Sequence, residues 1–407
     1  AAIRIYTRRG PVIAGLSLID RLLTLDLSHS ECARVGLSRG VLLKILGNLS
    51  LARSVYEEAI QHAKASDERR IEGILFGQLA ILERRCGHDN KANEAHQIAL
   101  SIHREVGNRG AEGLLLGSKG IWLQDLGRLD EAQACFKEGL TLLSRSGNRL
   151  SEGNLLALLG NLQLSRARFD EAQQIYQQAL AIHQEVGNRV EEGHLLCNLG
   201  ILLAHKGQIE DAQRHFELSL SINREVGYRS TEAKTLVNLG NLHQDQGRPD
   251  EARKCFQDAL TVHKEDQERK PCAVILLHLG SLNSDTGNFD EAREQFNEAL
   301  THFEALGHHA HISSVNSYLG LLLGRMGEFE EAHQHFKRAE EFLRSINAPL
   351  HLAELLYNRG RAEHLAKDLD SARETLAEAL EIADRIQLGT DSELGRNLES
   401  LKADVKP

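Results

Sequence analysis

Small and apolar residues recur along the chain at intervals of forty. Ala occupies positions 52, 92, 132, 172, 212, 252, 292, 332 and 372. Four residues later stand Tyr56, His96, Phe136, Tyr176, Phe216, Phe256, Phe296, Phe336 and Leu376. Three further on come Ala59, Ala99, Gly139, Ala179, Ser219, Ala259, Ala299, Ala339 and Ala379. Steps of four and three keep all three positions on one face of a helix. Twelve residues before each first Ala lies another small residue: Gly40, Ala80, Gly120, Gly160, Gly200, Gly240, Gly280, Gly320 and Gly360. The pattern predicts two antiparallel helices per unit. Small side chains let the backbones approach, and the ring fills the space between layers.

The helix ends are also marked. Gly47, Gly87, Gly127, Gly207, Gly247, Gly287 and Gly327 stand at the turn inside seven units, with Ala167 and Lys367 in the other two. A glycine there ends the first helix. An acidic residue then opens the second helix, at the positive end of its dipole: Asp130, Asp170, Glu210, Asp250, Asp290, Glu330 or Asp370. Gly107, Gly147, Gly187, Gly227 and Gly307 close that second helix.

These residues resemble the tetratricopeptide repeat, with Leu-Gly in helix A and Ala, Phe or Tyr, Ala in helix B. Residues 198–220 and 238–260 meet the pattern. The resemblance implies an all-α fold, a right-handed α-α superhelix of about nine to ten helical hairpins. The expected organisation is a degenerate hairpin over 1–30, nine tandem units over 31–388, and a capping helix and tail over 389–407. In the degenerate hairpin Gly10 takes the turn, Gly15 the small position and Ile19 the ring position. The period exceeds the usual 34, and a Gly-Asn-Arg loop at 107–109, 147–149 and 187–189 replaces the usual closing proline.

The forty-residue variety is similar to two groups. One is the LGN/Pins type of adaptor, whose groove binds extended peptides. The other is the sensor arm of bacterial STAND, AfsR-like signalling ATPases, favoured by the Leu-rich segment 8–26. No GxxxxGK[ST] phosphate loop occurs in the chain. A chain that begins at Ala1 rather than Met is expected to be a C-terminal fragment of a larger regulator or a processed product.

Composition narrows the class. Apolar residues make up 41% and charged residues 26%, which excludes global disorder. The net charge of −10 is dispersed, without the basic face a nucleic-acid binder needs, so no nucleic acid is expected. No apolar run of membrane length exists, so no membrane partner is expected either. Six scattered Cys without a CxxC pair point to free thiols in a reducing, cytoplasmic setting.

Candidate chemistry is sparse. GxSxG, HExxH and EF-hand patterns are absent. The expectation is a non-catalytic module without cofactor or metal. His308, His309 and His311 cluster in a loop, which reads as an exposed polar segment. His103, His183 and His263 recur at one helix B position and read as repeat-surface residues.

The tetratricopeptide resemblance assigns helix A to the concave face. It places Asn154, Asn161, His194, Asn198, Asn238, Asn241 and His278 there. Asn offers donor and acceptor together and so can pair with an extended peptide backbone. Arg149, Arg189 and Arg229 are expected at the groove edge, meeting carboxylates of the ligand or, alternatively, Glu152 and Glu192 of the chain itself. The implied partner is a protein, a peptide or a small effector in the groove. Self-association through the solenoid ends is a further expectation.

Overall fold

The computed structural model describes residues 12–405, apart from 167, 266–268, 347, 387 and 389–391. It is an all-α solenoid of helical hairpins, with twenty helices and no strand among the described residues. The hairpin at Arg109–Asp125 and Leu129–Arg145 shows the unit. Each helix has 17 residues, and three residues join them. The next hairpin, Arg149–Ser165 and Phe169–Glu185, begins after another three. Both turns of a unit are therefore equivalent, and the forty-residue period is twice a helix-plus-turn period of twenty.

The Gly-Asn-Arg loop follows from helix-end chemistry. Gly107 sits at φ +64°, and the N–H of Asn108 donates to the His103 carbonyl at 2.9 Å. That left-handed closure satisfies the last carbonyls of the helix. The Asn108 side chain then accepts from the Ala111 N–H, and Asn148 likewise from Ser151, capping the next helix. Asp67 at φ +55° and Lys367 at φ +62° hold the same turn without glycine. Position 167 lies outside the described residues.

The ring column is the core. A Cβ added at Gly160 would stand 2.6 Å from the Tyr176 ring, and one at Gly320 2.8 Å from the Phe336 ring. Only a hydrogen fits under those rings. In the one unit with Ala80, the ring position carries the smaller His96, and both are buried. A second column alternates with the first. Gly73 lies against His103, Gly113 against Leu143 and Gly153 against His183, at 2.7 to 2.9 Å from a virtual Cβ. This corrects the expectation for three histidines. His103, His183 and His263 are 2%, 0% and 6% exposed and belong to the interior, not the repeat surface.

The chain forms two compact units, Ala1–Leu202 and Leu203–Pro407. In the first, Gly15 and Ile19 are buried, while Gly10 lies outside the described residues. In the second, the helix Glu393–Asp404 places Leu398, Leu401 and Val405 in one core with Leu376 and Ala379. It packs on the apolar face of the preceding hairpin.

Candidate functional site

The arginines that open the helices A are engaged by the chain itself. Arg149 donates to Glu152 at 2.8 Å and to Glu185 at 2.6 Å, tying the start of one helix to the end of another. These bonds hold the Glu185 carboxyl below its ordinary pKa. Arg189 donates to Glu192 at 2.7 Å. Arg229 reaches the Val262 carbonyl at 3.5 Å. Arg149 and Arg189 thus meet the internal carboxylates of the alternative reading, and their charge is already compensated.

The Asn positions of the first unit behave differently. The hydroxyl of Tyr176, on helix B, donates to Oδ1 of Asn161 at 2.6 Å. The same oxygen accepts from Nδ2 of Asn198, on the next helix A, at 3.2 Å. A buried ring therefore anchors an amide pair that spans two successive helices A. Among the described residues, the amide nitrogen of Asn161 and the amide oxygen of Asn198 have no further partner. An amide NH2 and an amide oxygen are left without a protein partner, the complement of a peptide unit. Asn154 is exposed seven residues before Asn161, on the same helix face. His194 is half-buried and lies 3.2 Å from Glu191, whose carboxyl it holds below the ordinary range.

In the second unit, Asn238 and Asn241 are half-buried on the helix Arg229–Asp245. His278 stacks on Phe256 with ring centres 5.3 Å apart. Burial lowers its imidazole pKa and favours the neutral ring, which has one donor and one acceptor. Further along, Nδ2 of Asn358 donates to the Ser317 hydroxyl at 3.0 Å, again linking neighbouring helices A. These two residues border a cavity of about 320 Å³, with Ser314, Tyr318, His351 and Glu354 on the helices A and Asn397 on the helix Glu393–Asp404.

Sequence reasoning passed over this C-terminal cavity. The signal was present in the repeat. Ser314 and Glu354 share the register of Asn154 and His194, and Tyr318 and Asn358 that of Asn198, Asn238 and His278. Extending the Asn criterion to hydroxyl and mixed polar residues would have found them.

His308 and His311 meet edge-on with centres 5.6 Å apart, and His311 stacks on Phe303. No group of three His, Cys, Asp or Glu able to hold a metal occurs among the described residues. No helix among them is long and apolar enough to cross a membrane.

Comparison with known proteins agrees with the architecture. A tetratricopeptide repeat model matches residues 112–185, 191–265 and 271–345, more than half of the chain, and a second matches 319–385. No curated protein matches. Among solved structures, a Rap protein complexed with competence and sporulation factor is similar at TM-score 0.61 and 14% identity, over 88% of this chain and 99% of that one. Aspartyl phosphate phosphatase F from Bacillus subtilis is similar at 0.58 and 15%, over 97% and 93%. A STAND protein with a tetratricopeptide repeat sensor from Pyrococcus horikoshii is similar at 0.60 and 14%, over 94% of this chain and 56% of that one. At such identities the likeness is one of fold. With the Leu-Gly and Ala-ring-Ala registers in place and the repeat models matching along them, the chain belongs to the tetratricopeptide repeat family.

Proposed function

We propose that the chain is a non-catalytic interaction module that takes an extended peptide segment along its helix A faces. In this reading it serves as the sensing arm of a signalling regulator. The observation that carries the proposal is the amide pair Asn161–Asn198, held from beneath by Tyr176. It costs a ligand little, because the side chains are ordered before binding. It recognises backbone rather than sequence, so affinity accumulates along the chain of the ligand. The neutral His278 and the half-buried Asn238 and Asn241 offer the same chemistry in the second unit. Two likenesses of fold support the reading: one neighbour is complexed with competence and sporulation factor, and another carries a tetratricopeptide repeat sensor.

The test is selection of ten-residue peptides from a displayed library against the intact chain, followed by titration of a selected peptide. The variant N161A/N198A is expected to bind at least about tenfold more weakly, the loss of two good hydrogen bonds. Equal affinity in that variant and in N238A/N241A would remove the helix A faces as the site.

A further inference from the structure

One repeat position is occupied by leucine in most units and by a base in three. Leu79, Leu159, Leu199, Leu239, Leu279 and Leu319 precede the small residue of helix A, whereas Arg39, Lys119 and Arg359 stand there in the remaining units. A cation at a largely buried position needs a counter-charge. Arg39 has Asp20 at 3.1 Å. Arg359 has Glu363 at 2.7 Å and Glu340 at 3.2 Å. Lys119 is half-buried and, among the described residues, makes no hydrogen bond or ion pair.

Lys119 lines two cavities. A cavity of about 350 Å³ lies on one side, with Trp122 and Asn93 at its wall. Another of about 450 Å³ lies on the other, bordered by Gln97 and Ser101. Lys119 lines both, on the floor between the helices Asp89–Glu105 and Leu129–Arg145. The carboxylates at the walls are committed elsewhere. Glu131 accepts from Nε and Nη2 of Arg128, each at 2.6 Å, and feels the Lys119 charge only as a weaker, non-bonded attraction. Glu138 accepts from Arg104 at 3.2 Å, and Asp89 from the Trp122 indole N–H at 3.2 Å.

We propose that this cleft binds a carboxylate, with Lys119 as its counter-ion and amide side chains of the helix B wall as hydrogen-bond donors. The ammonium supplies a point charge with three donors; Asn93 borders one of its cavities, and Gln97 and Ser101 border the other, as the side-chain donors available to a ligand's oxygens. The site is on the helix B side of the repeat and does not rest on the peptide-binding reading of the helix A faces. Two sources supply the chemistry: a free small carboxylic acid, or acidic side chains of a partner.

The single tryptophan of the chain borders the cleft and reports occupancy directly. Trp122 emission is followed in the intact chain while sodium succinate, or N-acetylated hexaglutamate amide, is added at constant ionic strength. Sodium chloride and inorganic phosphate are the controls. A saturable change is expected with a carboxylate and not with chloride. Lys119→Leu, which restores the residue of most other units, is expected to weaken binding at least about tenfold. Lys119→Arg is expected to stay within about threefold, because the charge remains. Lys119→Gln serves as a second neutral variant, and circular dichroism checks that each is folded. Saturation by succinate assigns a small acid as the source. Saturation by hexaglutamate alone assigns a partner's side chains. The proposal is overturned if neither saturates, if phosphate binds more tightly than both, or if the folded neutral variants bind like the parent. Equal loss of the selected helix A peptide in N161A/N198A, with succinate or hexaglutamate binding intact, separates the two sites.

Discussion

The ring column differs between the two units. In the second unit it is hydrocarbon throughout, with Phe216, Phe256, Phe296, Phe336 and Leu376 all buried. In the first unit three of four rings carry polar atoms: Tyr56, His96 and Tyr176, with only Phe136 apolar. The same packing job is therefore done with and without hydrogen-bonding groups, and each polar ring meets a different fate. Tyr176 finds Asn161 and becomes the anchor of the amide pair. Among the described residues the Tyr56 hydroxyl is buried without a partner, and burial pushes its pKa well above that of an ordinary phenol. Nδ1 of His96 is likewise buried without a partner among the described residues, beneath Trp122 at 6.1 Å. A repeat position thus specifies volume, while polar atoms at that position depend on what the neighbouring helix presents.

The comparison is most sharply broken by restoring a hydrocarbon ring to the His96 layer. His96→Phe alone places a larger ring against Ala80 and is expected to cost about 3 kcal/mol in chemical denaturation. Ala80→Gly opens the space that the other units provide, so the double variant is expected to recover most of that loss. A purely additive pair of effects would show that the two positions are not a packed couple.

Acid should separate parent and double variant next. Burial, then the charges of Lys119 and Arg84, lower the His96 pKa to about 4. His103 and His183 are lowered by burial too. In each case the folded value lies below the unfolded one, so the unfolded chain takes up protons first. Stability is fully present above about pH 6.5 and is lost as pH falls toward 4. The His96 share is about 3 kcal/mol, and it is expected to vanish in A80G/H96F when denaturation midpoints are compared at pH 7 and pH 4. An unchanged pH dependence in the double variant would contradict this.

The two tyrosines give the smallest effects, with opposite signs. Tyr56→Phe removes an unpartnered hydroxyl and is expected to stabilise by about 1 kcal/mol. Tyr176→Phe removes the donor to Asn161 and is expected to destabilise by about 1 kcal/mol. It should also weaken a helix A peptide. Changes of the same sign in both variants would show that the hydroxyl partner does not matter.

Much of the fold was legible because repetition isolates the backbone requirement. The glycines marked as helix ends do adopt left-handed φ, among them Gly47, Gly127, Gly187 and Gly247. The covariation of Ala80 with His96 is visible in the sequence once Gly and the ring are known to touch. The fate of charged and polar groups was not legible. Arg149 and Lys119 are both bases on helix A, yet one is hydrogen-bonded to two glutamates and the other, among the described residues, to none. The distance to a counter-charge on another helix is not encoded in spacing along one helix.

The helix pairs, their forty-residue register, their turns and the small-against-ring core are all written in the order of residues along the chain. These are local and periodic: each follows from dihedral freedom, side-chain volume and helical geometry within one unit. Only the tertiary structure decided that His103, His183 and His263 are interior and that Asn161 and Asn198 share one oxygen. It likewise decided that Lys119 faces open cavities. Burial and pairing depend on groups some forty residues away brought within a few ångströms, and that proximity exists only once the helices are stacked.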